Sequence, residues 1–165
     1  TDYGATKLSG EDHLLAFAYE EKARVVALRL PAIYGPGEKT PRALPNFLRA
    51  VARGERPVIA GDGGDLRDQL YVADAVSGIA CALAQPVSGI FNLADGERHS
   101  IEELARVALE VAGLGGEPER RERVKLRRDY HMSIDKARRE LGFAPSMRLR
   151  EGMALQLAWL RSRSP

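Results

Sequence analysis

Hydrophobic and polar positions along the chain follow two periods, and each period predicts a different kind of element. Apolar residues three and four positions apart, including Leu14, Leu15 and Ala18, predict a helix over residues 3–22. A short, mostly apolar run over residues 25–30 follows, which is typical of a buried parallel strand. A helix followed by a buried strand is half of a βαβ repeat, so the pattern favours an α/β protein.

The rest of the chain continues this alternation of helical and strand-like segments. Helices are expected over 45–53, 74–84, 100–112, 134–141 and 149–160, and strands over 57–60, 69–72 and 89–94. Ser100, with Glu103 three residues later, predicts a capping box at the start of its helix. In the last helix, the side chains expected to face the core are Leu155, Ala158 and Trp159.

Pro31 ends the first strand, and the turn-forming residues 33–37 (IYGPG) come directly after it. Ligands of open parallel sheets bind outside the carboxyl ends of the strands. The segment is therefore a candidate binding loop, with an ordinary Gly/Pro turn as the alternative.

A second glycine-rich loop, GDGGDLRD, covers residues 61–68. Its three glycines in four positions allow close approach of the backbone, but it is not a dinucleotide fingerprint because no GxGxxG occurs. Arg67 at its end can direct two donors at a phosphate, or it can form a salt bridge with Asp65 or Asp68.

Composition narrows the class of protein. The chain has 165 residues, 44% of them hydrophobic and 29% charged, which describes one globular domain, and no apolar run approaches the ~20 residues of a membrane span. A net charge of +2 is too small to indicate nucleic-acid binding. The single cysteine, Cys81, allows no intrachain disulfide and fits a cytoplasmic protein. The charge-dense stretch 117–128 is interpreted as a solvated loop and edge strand.

Tyr3 and Lys7 are the first candidates for catalytic chemistry. Residues four positions apart share one face of a helix, and an ammonium near a phenol favours the ionised phenolate. A tyrosine in that setting can exchange a proton with a substrate hydroxyl or carbonyl, although helices also carry such pairs by chance. Asn92 is a further polar candidate, because it interrupts an apolar strand and needs a hydrogen-bond partner or a ligand.

Five segments in order resemble the extended short-chain dehydrogenase/reductase family, the NAD-dependent epimerases and dehydratases of nucleotide sugars. The segments are YGATK at 3–7, LRLPAIYGPG at 28–37, GDGGDLRDQLYVADA at 61–75, FNLADGERHSIEELA at 91–105 and DKARRELGFAP at 135–145. Each alone is weak, but five in the family's order cover nearly the whole chain.

The resemblance implies a role for each matching residue. Tyr3 is similar to the family's acid/base, and Lys7 to the residue that promotes phenol ionisation and hydrogen-bonds the nicotinamide ribose. The backbone lying against the nicotinamide would be that of Pro31, Ala32 and Ile33. The residues expected to contact the nucleotide-sugar substrate are Arg67, Asn92 and Arg128.

The resemblance also implies what the chain as a whole would be. Residues 1–165 would form the carboxyl-terminal part of a Rossmann-type doubly wound sheet plus a small α/β substrate-binding lobe. The family's glycine-rich phosphate loop and catalytic Ser/Thr lie upstream of the tyrosine, and only two residues precede Tyr3. A cut piece of a longer enzyme is therefore expected, inactive alone, with NAD (or NADP) as cofactor, no metal, and a homodimer through the Tyr3/Lys7 helix.

Two other functions are compatible with the sequence. Ala32 stands where nucleotide-sugar enzymes often have asparagine, which also suits a reductase or dehydrogenase of a non-nucleotide alcohol or carbonyl. A non-catalytic dinucleotide-sensing or interaction fragment is the other alternative, although the Tyr3/Lys7 pair is intact.

Overall fold

The structure, a computed structural model, describes residues 1–123 and 126–163. Its helices are α1 (Asp2–Glu20), α2 (Ala43–Ala52), α3 (Val72–Ala84), α4 (Ile101–Ala112), α5 (Asp135–Leu141) and α6 (Leu149–Arg161). Its strands are β1 (Val26–Arg29), β2 (Ala32–Tyr34), β3 (Val58–Ala60), β4 (Leu66–Arg67), β5 (Gln69–Tyr71), β6 (Gly89–Asn92), β7 (His99–Ser100) and β8 (Glu119–Arg121). The predicted α/β class is confirmed.

The strands associate in pairs, three of them parallel. β1 pairs with β6, β2 with β5, and β3 with β8 in parallel, whereas β4 and β7 are antiparallel. The register places Arg29 opposite Asn92 at the carboxyl ends of β1 and β6. Parallel strands joined through helices are the arrangement that the alternating pattern predicts.

One contact and one shared surface depression indicate that helix α1 runs antiparallel to β1. Near its middle, Glu11 forms a salt bridge with Arg29 at the carboxyl end of β1, with a 2.5 Å separation between the Glu11 carboxylate and Arg29 Nη2. Near its end, Ala18 lines a surface depression together with Ser88, which precedes β6. The first turns of α1 therefore extend beyond the carboxyl edge of β1.

The apolar side chains of α1 are exposed in this chain. No residue of the helix is buried, and the exposed large hydrophobic side chains are those of Tyr3, Leu8, Leu14, Leu15, Phe17 and Tyr19. An amphipathic helix usually packs its apolar stripe onto a core. The apolar surface of α1 is thus free for a further packing partner.

Two hydrophobic cores stabilise the remainder. The first lies between α2, α4 and α6 and includes the buried side chains of Phe47, Leu48, Leu104 and Leu157. The second joins β5, β6, α3 and α5 and includes Leu70, Phe91, Leu93, Leu141 and Phe143. The predicted apolar face of α2 is confirmed, since Phe47, Leu48 and Val51 are all buried.

The turn expected over 33–37 is partly wrong. Ile33 and Tyr34 belong to β2, which pairs with β5, and the turn begins only at Gly35. Because the strand's partner lies more than thirty residues downstream, the local Gly/Pro pattern carries no signal of it.

The inward face predicted for α6 is wrong for two of its three side chains, and the third, Trp159, is partly buried. Leu155 is 48% exposed and Ala158 is exposed, whereas the buried residues are Gly152, Met153, Gln156 and Leu157. The inward face includes a glycine and a glutamine because the helix packs closely on Tyr34 and Gly35.

The charge-dense stretch behaves as predicted where it is described. β8 is exposed along its length and pairs with β3, and Val124 and Lys125 lie outside the described residues. Across residues 1–123 and 126–163, no helix combines the length and the apolar character that crossing a bilayer needs.

Candidate functional site

Strand register places several of the predicted site residues at the carboxyl edge of β1 and β6. Asn92 ends β6 opposite Arg29, and Pro31 follows β1 two residues later. Ala32 then pairs with Gln69, two residues after Arg67, so the second glycine-rich loop reaches the same edge. The first turns of α1 extend past this edge, and Glu11 places them there.

Tyr3 and Lys7 lie together on the exposed first turns of α1. Lys7 Nζ is 5.5 Å from the centroid of the Tyr3 ring, and the tyrosine is 72% exposed. Glu11 lies a further four residues along, so all three side chains share the helix face that meets the sheet edge. The phenol is therefore open to a ligand at this edge.

The backbone after β1 is held by the last helix. Gly35 N–H donates to Gln156 Oε1 at 3.1 Å, and Gly152, one turn earlier on α6, leaves room for the Tyr34 hydroxyl. Gln156 is fully buried, and within the described part of the chain its Nε2 has no acceptor. Burial, helped by the charge of Asp95, raises the pKa of Tyr34 far above that of a free phenol, so Tyr34 is unsuited to proton transfer.

Arg67 is held in place by several acceptors. Its Nη1 donates to the carbonyl oxygens of Leu66, at 2.8 Å, and of Arg128, and its Nη2 lies 3.4 Å from Asp65 Oδ1. The guanidinium carbon also lies 5.1 Å from the centroid of the Tyr130 ring. The arginine is therefore oriented by the protein while part of it remains exposed.

Asp65 is the buried anchor of this arrangement. Arg123 lies 2.6 Å from Asp65 Oδ2, and the Arg128 backbone N–H donates to Oδ1 at 3.0 Å. The Arg123 guanidinium, against the opposing effect of burial, lowers the pKa of Asp65 to about 2. The carboxylate is ionised at neutral pH and fixes the chain at Arg67 and Arg128 together.

Residues 128–133 connect the two arginines to Asn92. Tyr130 N–H donates to the Leu66 carbonyl, and Met132 N–H donates to the buried Asp68 carboxylate at 2.5 Å. Asn92 Nδ2 donates to the Ser133 carbonyl at 3.1 Å. The polar residue in β6 therefore has a protein partner, and the segment brings Arg67, Arg128 and Asn92 to one region.

On β7, the strand paired with β4, lies a buried histidine that no sequence pattern singles out. His99 Nε2 is 2.8 Å from Asp95 Oδ2, and Nδ1 is 3.3 Å from Glu103 Oε1. Burial favours the neutral ring, but the two carboxylates outweigh it and raise the pKa of His99 to about 9. His99 is thus an imidazolium at neutral pH.

The Ser100 cap is confirmed, since Ser100 Oγ accepts from Glu103 N–H at 3.0 Å.

Sequence reasoning missed the anchoring role of the buried carboxylates. The sequence pattern indicates Asp65 and Asp68 only as salt-bridge partners of Arg67, yet each also accepts a backbone N–H from a segment more than sixty residues away. No local pattern signals such a contact. In the described part of the chain, no group of three or more His, Cys, Asp or Glu side chains is arranged to hold a metal ion.

Comparison with known proteins shows what this arrangement is similar to. The sequence model of the NAD-dependent epimerase/dehydratase family matches residues 1–94. The dTDP-glucose 4,6-dehydratase of Streptomyces griseus is 32% identical over 160 residues, which are 95% of this chain and 49% of that protein.

Two solved structures share the fold over the same extent. The UDP-glucose 4-epimerase of Thermotoga maritima with UDP-glucose has 30% identity and a TM-score of 0.89, over 97% of this chain and 53% of the other. The UDP-glucose 4-epimerase of Thermus thermophilus in complex with NAD has 28% identity and a TM-score of 0.83, over 98% and 54%. The chain therefore spans about half the length of the relatives it matches.

Proposed function

The chain belongs to the NAD-dependent epimerase/dehydratase family, and from this premise we propose that it is the carboxyl-terminal, substrate-binding part of a nucleotide-sugar epimerase or dehydratase. The observation that carries the proposal is that Arg29, at the carboxyl end of β1, is opposite Asn92 and forms a salt bridge with Glu11 of the helix that carries Tyr3 and Lys7. Arg67 precedes by two residues Gln69, which pairs with Ala32 just after β1. A proton-transfer pair and a fixed arginine at one edge suit a substrate with both a hydroxyl and a phosphate.

In this proposal Tyr3 exchanges the proton of the sugar hydroxyl. Its phenol is exposed on the face of α1 that meets the sheet edge, and the Lys7 ammonium lies 5.5 Å from the centroid of its ring. NAD, when bound, would supply the hydride acceptor. The exposed phenol, the ammonium and the backbone of residues 31–33 fit the nicotinamide end of that cofactor, because all three lie at the carboxyl edge.

Arg67 and Arg128 are proposed to bind the substrate diphosphate. Arg67 is already oriented by the Leu66 and Arg128 carbonyls, so little conformational entropy remains to be lost when it meets an anion. The Arg128 side chain is exposed, and its backbone is fixed through Asp65. Asn92 would reach the same substrate by exchanging its bond to the Ser133 carbonyl.

Residues 1–165 are proposed to be one half of a larger Rossmann-type enzyme. α1 buries no residue, and α3 exposes Val72, Val76, Ile79 and Leu83 along one face. Surface of this kind suits a missing half of the sheet and a homodimer partner packed on α1.

The substrate proposal is tested by calorimetric titration of this chain with UDP and dTDP. We expect binding that Arg128→Met weakens about tenfold, the loss of one charge-assisted contact. Arg53→Met is the matched control, since Arg53 is an exposed arginine paired with Glu55 away from the edge. Wild-type protein that bound neither nucleotide would contradict the nucleotide-sugar assignment and favour a non-nucleotide substrate.

The proton-transfer proposal is tested in the longer protein that contains this chain, with UDP- or dTDP-hexoses as substrates. Tyr3→Phe is expected to lower kcat by about 100-fold or more, since general acid–base groups contribute that much. Tyr19→Phe changes an 87% exposed tyrosine of the same helix and should leave kcat unaltered. Full activity of Tyr3→Phe would mean that another group moves the proton.

A further inference from the structure

His99 has no place in the chemistry described above, yet it lies on β7, directly opposite the proposed phosphate-binding residue Arg67 on β4. We propose that the His99 imidazolium, held between Asp95 and Glu103, is a positioning residue that fixes β4 and thereby sets the affinity for the substrate diphosphate. The inference rests on the proposed function of Arg67 and adds a residue that acts through Arg67 rather than on the substrate.

The geometry places His99 and Arg67 opposite each other. In the antiparallel β4–β7 pair, Arg67 is the register partner of His99 and Leu66 that of Ser100. Directly opposed residues of an antiparallel pair extend to the same face with Cβ atoms about 5 Å apart. A displacement of His99 is therefore transmitted to the strand that carries Arg67.

Backbone contacts on both sides of His99 support the second glycine-rich loop from Gly63 onward. Asp95 N–H donates to the Gln69 carbonyl at 3.0 Å, ahead of His99 in the chain. After it, Ile101 N–H donates to the Asp65 carbonyl at 3.0 Å and Glu102 N–H to Gly63 at 2.9 Å. The segment 95–102 thus forms the support on which residues 63–69 lie.

The imidazole joins the two ends of this support. Asp95 lies in the loop after β6 and Glu103 in the first turn of α4, and each carboxylate meets a different ring nitrogen of His99. Only the doubly protonated ring can donate to both carboxylates at once. With a neutral ring, one of the two bonds is lost and the loop and helix are no longer joined through it.

The charges around His99 explain why the imidazolium persists opposite a guanidinium. Arg67 faces it from β4, and the carboxylates that face it are those of Asp95, Glu103 and, at 3.9 Å, Glu97. Arg67 is compensated by Asp65 instead. Because the His99 side chain is only 3% exposed, its removal leaves Asp95 Oδ2 facing a buried gap without its donor, while Oδ1 keeps the Glu97 N–H.

The experiment measures UDP affinity of this chain by calorimetry between pH 7 and pH 10, for wild type, His99→Gln and His13→Gln. His99→Gln is expected to weaken binding about tenfold at pH 7.5, while His13→Gln, an exposed histidine of α1, leaves it unchanged. The difference in UDP affinity between wild type and His99→Gln should disappear as pH rises through about 9. Titration of UDP itself affects all three proteins equally and cancels in the ratio of their dissociation constants.

The outcomes separate the two proposals. Wild type that does not bind UDP contradicts the proposed function, and the present inference with it. UDP binding that His99→Gln leaves unaltered, or a wild-type advantage that is constant with pH, overturns this inference alone. If His99→Gln does not fold, Glu103→Gln replaces it. Glu103 is half exposed, and its neutralisation should move the pH-dependent loss of affinity to lower pH; an unmoved profile would refute the positioning role.

Discussion

Replacing Gly152 by alanine is expected to destabilise the protein, although alanine is the better helix former. A Cβ added at Gly152 would lie 2.5 Å from the Tyr34 hydroxyl and 2.9 and 3.0 Å from two ring carbons. Ordinary contact begins at 3.4 Å, so the ring or the helix must retreat by about 0.9 Å. Tyr34 is buried and packs edge-on against Tyr71 at 5.5 Å, which restricts its retreat.

The magnitude follows from two opposing terms. Overpacking of a buried site costs about 1–3 kcal/mol, and three close contacts to a rigid ring place this site at the upper end. Alanine in a helix interior recovers about 1 kcal/mol relative to glycine. The net loss is about 2 kcal/mol, which lowers Tm by roughly 4–8 °C in a protein of this length.

Gly10→Ala supplies the matched control. Gly10 is also inside a helix, but apart from the helix's own backbone no described heavy atom lies within 4 Å of its added Cβ. The propensity gain should therefore act alone, and Tm should stay the same or rise. The two variants and wild type are compared by thermal unfolding followed by circular dichroism. A Gly152→Ala protein as stable as wild type would refute the close packing of α6 on β2.

Four further outcomes are expected. The pKa of His99 is raised from 6.5 to about 9, so the stability it contributes is complete below pH 6.5 and lost as pH rises through about 9. The free energy of unfolding in urea should therefore be higher at pH 7 than at pH 10 by at most about 3 kcal/mol, an upper limit because Glu103 is half exposed to solvent. In His99→Gln this difference between the two pH values should be smaller. Glu11→Gln, which breaks the salt bridge to Arg29, should accelerate hydrogen exchange throughout α1 while Tm changes little; unaltered exchange would show that other contacts hold the helix. Calorimetric titration of this chain with NAD should show no micromolar binding, because residues 1–165 contain no GxGxxG dinucleotide fingerprint; micromolar binding would contradict this reasoning. Size-exclusion chromatography should show self-association that Leu83→Glu reduces, whereas a monomer at every concentration would mean that the exposed apolar faces need no cover.

The sequence predicts those elements whose signals are local. α4 is defined by the Ser100 cap and by Gly113, which adopts φ 70° at its end, and both signals lie within the helix's own boundaries. The pattern of Phe47, Leu48 and Val51 likewise identifies the buried face of α2. Where the hydrophobic period and the end signals of a helix agree, the helix and its buried face can be predicted from the sequence alone.

The sequence-based predictions are wrong where an element is defined by packing or pairing with residues far away in the chain. β2 is only three residues long and exists because Gln69–Tyr71 lies beside it, so the Gly and Pro residues that follow dominate any local interpretation. In α6, the apolar stripe that includes Leu155 predicts a buried face from the sequence as well as the face that the structure buries does. Gly152 and Gln156 face inward because a glycine fits against Tyr34 and a glutamine accepts from Gly35, and neither reason is apolar.

The candidate site divides in the same way. The Tyr3/Lys7 pair is a local spacing and could be read from the sequence, whereas the arrangement around Arg67 depends on contacts across more than thirty residues. Arg67 is a substrate candidate by resemblance alone. What the structure adds is the reason for its position: Asp65 fixes the loop from one side and His99 supports it from the other.

The exposed apolar surface follows from the same geometry. Scattered exposed hydrophobic residues are normal, but on α3 they repeat at the helical period, at Val72, Val76, Ile79 and Leu83. Ile79 and Leu83 also line a surface depression together with Val26 and Leu28 of β1. α1, on which no residue is buried, is tied to the same strand by the Glu11–Arg29 salt bridge. Both exposed helix surfaces therefore adjoin β1, whose one partner among the described strands is β6. A further strand paired with β1 would bring covering layers to both helices, and this supports an enzyme whose sheet continues past β1, beside the Tyr3/Lys7 pair.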